Sequence, residues 1–425
     1  MRKLLLTGLL STSLVGNVLA SDNIEERLQN LEEQNQQLID EIAKLKEEIS
    51  IPEIRQQSFA GMGYAASKVY FTPQGLSIGG YGEIVYINYD SSSKKDTTDL
   101  YRFIPYIGYK FNDKIILNAE IEFEHGANAE RGGEVAVEFA YIDFLINKWT
   151  NVRVGNLLIP VGITNLQHEP IFFNSVNRPE VETKIIPTTW NENGVLIYSN
   201  TGNIDYQVGI VNGLYGTKHG EFGFSSSSWI RGGRQAGAKA IAEDFAFVGR
   251  VDYLGIEGLY AGASLYYGKS GQGETLGTEK IDGTVFLFEV HARYQIKGFE
   301  LTGLYAKGHI DDADKISLYN DDVIGEDAYG YYLNVAYDIL PLINKESKYS
   351  LPIFARYERY NTQDSVPTGF TADPNNDKTI WTVGLNFKPH SNVVLKADYQ
   401  FRDNEGDGEP DRLELGLGFI FWKSK

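Results

Sequence analysis

Residues 115–124 read Ile115-Ile116-Leu117-Asn118-Ala119-Glu120-Ile121-Glu122-Phe123-Glu124. Ile115, Leu117, Ala119, Ile121 and Phe123 form one apolar series, and Asn118, Glu120, Glu122 and Glu124 form the polar series between them. A period of two sends the two sets to opposite faces of a β-strand, whereas a helix would scatter the carboxylates around its axis. The same alternation returns in Phe286-Phe288-Val290-Ala292-Tyr294 against Glu289, His291, Arg293 and Gln295. It returns again in Val393-Leu395-Ala397-Tyr399-Phe401 and in Leu413-Leu415-Leu417-Phe419-Phe421.

Working outward, about sixteen such segments follow one another from 76–90 to 410–422, separated by Gly, Asn, Asp and Ser turns. A soluble antiparallel sandwich shares this period. Two features favour a membrane barrel instead. The apolar series tend to begin or end in Tyr, Phe or Trp, as an aromatic girdle at each lipid interface requires, and the opposite face is charged along almost every strand. Tight turns such as Asn112-Asp113 and Lys297-Gly298 alternate with long connections such as 219–234 and 309–326. The expected fold is therefore an all-β transmembrane barrel of about sixteen antiparallel strands, a size that leaves an aqueous channel.

Composition agrees. The 425 residues hold 44 Gly, 27 Tyr and 22 Phe, yet only 42% are hydrophobic, which suits alternating strands better than apolar helices. The formal net charge of −18, with no basic block to offset it, argues against nucleic acid as a partner. The absence of cysteine excludes disulfides and thiolate metal sites.

The N-terminus reads differently. Arg2 and Lys3 precede an apolar stretch to Leu19, and Val18-Leu19-Ala20 offers a cleavage site, so residues 1–20 are expected to be a signal peptide. Within 21–51, Ile24, Leu31, Leu38 and Leu45 repeat at seven, and Leu28, Asn35, Ile42 and Ile49 form the second seam. That is the pattern of an α-helical coiled coil, with Asn35 fixing register at some cost in stability, and it motivates oligomerisation. Pro52 ends it; residues 52–74 are expected to be a linker, and 75–425 the barrel domain. The coiled coil would lie in the periplasm, with the barrel in the outer membrane of a Gram-negative-type cell.

The longest connection, 158–190, contains Leu158-Ile159-Pro160-Val161-Gly162, His168-Glu169-Pro170-Ile171-Phe172-Phe173 and Asn177-Arg178-Pro179. It follows Ala140-Tyr141-Ile142-Asp143 and Val152-Arg153-Val154-Gly155, and closes at Trp190-Asn191-Glu192-Asn193-Gly194. This order, over roughly 134–200, resembles the phosphate-selective porin O and P family. The resemblance implies a sixteen-stranded homotrimeric porin whose third external loop folds inward to narrow the channel. Pro160, Gly162, Ile171, Phe172 and Phe173 would then pack that loop on the wall, because such apolar residues are poorly placed in external water.

Near the constriction, Arg153 from its strand, Arg178 and Lys184 from the inward loop, and Arg250, Arg293, Arg356, Lys396 and Arg402 from the wall are the expected basic lining. Glu120, Glu122 and Glu138 would offset part of their field. Guanidinium forks around a pore suit oxyanions. The expected function is passive diffusion of small hydrophilic solutes with a weak anion or phosphate preference. The alternative is a structural protein whose coiled coil tethers the outer membrane to the cell wall. No catalytic constellation, cofactor motif or metal-ligand spacing stands out: the six histidines are unpaired in sequence, and Gly268-Lys269-Ser270-Gly271 lacks the spacing of a nucleotide loop. Asp403-x-Glu405-x-Asp407-Gly408 approaches a calcium loop, but Pro410 and flanking strands make it a solvated hairpin tip.

Overall fold

The computed structural model describes residues 57–422, except 92 and 221, together with helical positions 27, 29–31, 33–39 and 41. Of the heptad positions, Leu31, Asn35 and Leu38 are helical and exposed. Ile24, Leu28, Ile42, Leu45 and Ile49, like the expected signal peptide, lie outside the described residues.

Residues 75–422 form eighteen strands: β1 (Gly75–Tyr89), β2 (Thr97–Asn112), β3 (Ile115–Glu124), β4 (Glu134–Leu145), β5 (Asn151–Leu158), β6 (Asn191–Tyr198), β7 (Ile204–Asn212), β8 (Phe245–Tyr253), β9 (Leu259–Gly268), β10 (Thr275–Leu276), β11 (Glu279–Lys280), β12 (Val285–Ile296), β13 (Phe299–Ile310), β14 (Asp327–Asp338), β15 (Pro352–Ser365), β16 (Asp377–His390), β17 (Val393–Asn404) and β18 (Arg412–Trp422). The short ribbon β10–β11 stands apart; the other sixteen close into one barrel, each pairing with its sequence neighbours. Closure is antiparallel between β1 and β18, from Gly79 opposite Trp422 to Tyr89 opposite Arg412. A closed sheet leaves no unpaired edge, the condition for spanning lipid with strands. Among the described residues no helix is long and apolar enough to cross a membrane.

The deciding stretch lies as its alternation requires. In β3, Phe123 is 42% exposed on the outside, while Asn118 and Glu120 are buried within. Outward apolar residues such as Val135, Val195, Ile210, Val290 and Leu333 clothe the barrel wall. Exposed aromatics gather toward its two ends: Tyr109, Phe144, Tyr253 and Tyr337 near the short turns, and Phe123, Phe245, Tyr267 and Trp381 near the long loops. A belt of this kind fits the hydrocarbon layer with its interfaces.

The two ends differ. Connections 113–114, 146–150, 199–203, 254–258, 297–298, 339–351 and 391–392, mostly tight turns, gather at one end, and 90–96, 125–133, 159–190, 213–244, 269–284, 311–326, 366–376 and 405–411 at the other. Two segments turn back inside. Residues 159–190, between β5 and β6, are buried over most of their length. Residues 58–71, within the expected linker, also pack in the lumen at the short-turn end, where Met62, Ala65 and Ala66 join the same buried apolar cluster as Leu158, Ile163 and Trp190.

Candidate functional site

The loop 159–190 is held largely by its own polar groups, with Tyr332 of β14 joining them. The Asn165 side-chain amide donates to the Ile159 and Trp190 carbonyls at 2.7 and 2.9 Å, and its Oδ1 accepts from Trp190 N, pinching the loop shut at its base. The buried Glu182 carboxylate accepts from Ile163 N, Thr164 N, Thr164 Oγ1 and Tyr332 Oη, all at 2.6–2.9 Å. Gly162 adopts φ +79°, and a Cβ there would lie 2.7 Å from a Glu182 oxygen, so this turn needs glycine.

The inward-facing cations expected around the constriction then dock this loop. Arg250 pairs with Asp252 at 2.7 Å and donates to Gly162 O at 2.6 Å. Arg293 donates to Gln167 Oε1 at 2.8 Å and to Phe172 O at 3.4 Å. Arg356 donates to Ser175 Oγ at 2.5 Å. Lys396 donates to the carbonyls of Phe173 and Ser175 at 2.8 and 2.9 Å. Arg402 meets Glu180 of the loop at 2.6 Å. Charge-assisted bonds of this sort are worth about 1.5–3 kcal/mol each, so their sum makes the loop part of the barrel interior. Of these five, only Arg293 and Arg356 also line a cavity among those described below.

Arg153 sits elsewhere. It is buried at the short-turn end, bound to Asp143 at 2.9 and 3.0 Å and stacked 4.0 Å from the Tyr141 ring. Asp143 also accepts from Tyr70 Oη at 2.5 Å and Tyr198 Oη at 2.8 Å. Tyr70 belongs to the segment 58–71, so this cluster anchors that segment to β4, β5 and β6. Glu169, from the loop, accepts from Ala65 N and Ala66 N at 2.9 and 3.0 Å and joins the two lumen segments.

Three cavities stand out among the described residues, and shared walls set their order. An outer vestibule of about 360 Å³ opens toward the long loops; its basic lining is Arg102, Arg178, Lys184, Arg231 and Arg412. A space of about 20 Å³, room for about one water, shares Phe173 with that vestibule. A third cavity of about 260 Å³ at the short-turn end shares Gln167, Phe172 and Arg293 with the middle one. The neighbouring aromatics Phe172 and Phe173 thus flank the smallest of these spaces, while the carbonyls of Pro160 and Gly162 accept from Arg250 and Ile171 packs against the buried apolar cluster.

In the vestibule, Arg102 is bound to Glu83 and Glu124, and Glu180 to Arg402 and Arg412. Arg178, Lys184 and Arg231 make no salt bridge among the described residues. Burial, and then the neighbouring Arg234, push the Arg231 guanidinium down to about 9, with Arg102 and Arg178 acting in the same sense. Burial also lowers Lys184. A carboxylate would relieve this crowding, and a mobile anion can do the same. Arg231 and Arg234 were not visible in the sequence, because 213–244 reads as an ordinary external loop. Only packing of Trp229 and Ile230 into the barrel mouth carries them inward.

Glu120, Glu122 and Glu138 line none of these cavities. Glu120 and Glu138 gather beside His168 in a separate buried group.

The architecture is that of a closed sixteen-stranded antiparallel barrel with a long loop folded into its interior. It is similar to the outer membrane channel DcaP of Acinetobacter baumannii, with 14% identity and a TM-score of 0.51 over 81% of this chain and 96% of that one. It is also similar to an anion-selective porin from Comamonas acidovorans, with 12% identity and a TM-score of 0.50 over 82% and 99%. No family model matches the sequence. The chain is 39% identical over 391 residues to an uncharacterized protein of Aquifex aeolicus (strain VF5), spanning 89% of this chain and 87% of that protein. It belongs to the family of that Aquifex protein.

Proposed function

We propose that the protein is an outer-membrane porin through which small hydrophilic solutes diffuse passively, with a preference for anions, phosphate among them. The observation that carries this reading is the vestibule, where Arg178, Lys184 and Arg231 face about 360 Å³ of space without carboxylate partners among the described residues. Fixed charge acts on a permeating ion within about 8 Å at physiological salt, so these three cations outweigh acidic tips farther out. Guanidinium forks hold an oxyanion in two hydrogen bonds, and a shallow site lets it leave again. The barrel's likeness to known channels supports the fold on which this rests. A homotrimer, with the heptad segment assisting association, belongs to the same proposal.

Reversal potentials in planar bilayers under a potassium chloride gradient test it. The expected result is anion selectivity, a chloride current reduced by added phosphate, and selectivity weakened or reversed by Arg231→Glu. A cation-selective wild-type channel would overturn the anion preference.

One observation favours a second reading. With the loop and residues 58–71 both inside, the space that shares walls with both larger cavities holds about 20 Å³. A barrel so filled also suits a membrane anchor for a structural tether acting through the heptad segment. Absence of any conductance from folded protein would select that reading over the porin.

A further inference from the structure

Glu120 and Glu138 face each other because of an irregularity in the sheet. The register between β3 and β4 runs Glu120 opposite Phe139, then Ile121 opposite Val137, so Glu138 is the extra residue of a β-bulge. The bulge breaks the alternation of β4, and Glu138 and Phe139 both point inward, each almost wholly buried. Bulges commonly re-aim one side chain in this way.

The third member comes from the lumen loop. The His168 ring has Nδ1 3.0 Å from the Asn165 carbonyl, which only a protonated nitrogen can satisfy. With the proton held on Nδ1 by that carbonyl, the neutral ring presents Nε2 as a lone pair. That lone pair faces Glu120 Oε1 at 3.2 Å and Tyr106 Oη at 3.3 Å. One ligand atom from each of Glu120, Glu138 and His168 lies within 4.8 Å of the other two. Both oxygens of Glu138 and Oε2 of Glu120 are buried with no hydrogen-bond partner. Among the described residues no arginine or lysine nitrogen comes within 4.0 Å of either carboxylate; the nearby Arg178 is turned to Thr188 Oγ1 and the His168 carbonyl. With one proton shared between the two facing carboxyls, the pocket holds more acceptors than donors, an arrangement that a positive charge at its centre would relieve.

We infer that Glu120, Glu138 and His168 bind a divalent transition-metal ion, Zn²⁺ best matching the set. One imidazole nitrogen and two carboxylate oxygens make a three-ligand site with a position to spare, and about 2.0–2.2 Å ligand distances would draw the three side chains closer together than they stand here. The Asn165 carbonyl on Nδ1 supplies the outer partner that fixes the tautomer of metal-bound histidines. The ion would tie the lumen loop, through His168, to the wall strands β3 and β4. The site is independent of what passes through the barrel.

The test uses the full-length protein in detergent, stripped with chelator, incubated with ZnCl₂, desalted and analysed by elemental mass spectrometry. Wild type should retain about one ion per chain, unfold at higher temperature with Zn²⁺ but not with Mg²⁺, and show visible absorption on Co²⁺ loading. Glu138→Gln and His168→Gln should each lose at least about tenfold in retention. If Glu138→Gln fails to fold, folded His168→Gln and the Co²⁺ spectrum of wild type decide. The assignment is overturned if wild type retains no metal and its unfolding is unmoved by Zn²⁺. Folded variants that bind as well as wild type would overturn it too, and so would stabilisation by Mg²⁺ alone.

Discussion

The Nζ of Lys396 lies 2.8 Å from the carbonyl oxygen of Phe173 and 3.8 Å from the centre of its ring. One wall cation therefore grips both the backbone and the side chain of the residue that separates the outer vestibule from the narrow middle of the lumen. Replacing Lys396 by Met keeps the stem but removes two charge-assisted bonds, each worth about 1.5–3 kcal/mol. The loop tip should loosen. Single-channel recordings of Lys396→Met should show larger or noisier conductance than wild type, and identical traces would mean that Phe173 is held from elsewhere.

Deleting residues 165–185 removes Phe172 and Phe173 together with the groups that dock them. Conductance of the folded variant should rise severalfold. Unchanged conductance would place the limiting element in residues 58–71 instead.

The segment 58–71 depends on Tyr70, Asp143 and Arg153. Arg153→Met leaves the Asp143 carboxylate buried without its counter-ion, a change that costs about 3–5 kcal/mol. Tyr70→Phe removes the hydroxyl that bonds Asp143, Tyr141 and Arg153 but leaves the ion pair in place; the buried Asp143 acceptor left short of a donor costs about 1–3 kcal/mol. In Tyr70→Phe, limited proteolysis should cut between Ser58 and Phe71 faster than in wild type while the strands stay protected. Equal cutting rates would show that the ring stack of Phe59 on Tyr70, at 3.8 Å, suffices.

Acid should act on the loop through Glu180. Burial alone would raise its carboxyl, but Arg402 and Arg412 more than offset this and hold it well below the usual carboxylate range. A depressed carboxylate contributes stability above its unfolded value, about 4.3, and loses it as the pH falls below that value. Glu169 works in the opposite direction: burial pushes it up to about 7 against the Ala66 and Ala65 amides. Its contribution is full below about 4.3 and fades as the pH rises through 7. In urea unfolding followed across pH, Glu180→Gln should flatten the acid-side loss and Glu169→Gln the loss toward neutral pH. Superimposable profiles for wild type and both variants would refute these assignments.

The strand count, the alternation of short turns and long loops, and the inward face of each strand were legible, because a period of two records which side of a strand meets lipid. The roles of the inward charges were not. Arg250, Arg356 and Lys396 point inward, but their partners, Gly162, Ser175 and Phe173, lie 88, 181 and 223 residues away. Only the folded loop shows that these cations are occupied. Arg153 looks the same in sequence as Arg250, although one anchors residues 58–71 and the other the loop. Residues 58–71 lack a strand period and so read as a linker, since burial there comes from irregular backbone packed by Met62, Ala65 and Val69. The meeting of Glu120 with Glu138 turns on a bulge, which leaves no mark in an otherwise regular alternation.

Several glycines on the inner wall stand where the lumen segments come closest. A Cβ on Gly108 would lie 2.5 Å from Val69, on Gly418 2.6 Å from Pro170, and on Gly416 3.1 Å from Val176. The barrel and its contents are therefore a mould and its cast, and neither can drift in sequence alone. Among relatives, a bulkier residue at position 418 should appear only with a smaller or displaced one at 170. An engineer who empties this lumen inherits a wall with dents in it, smooth only when the dents are filled.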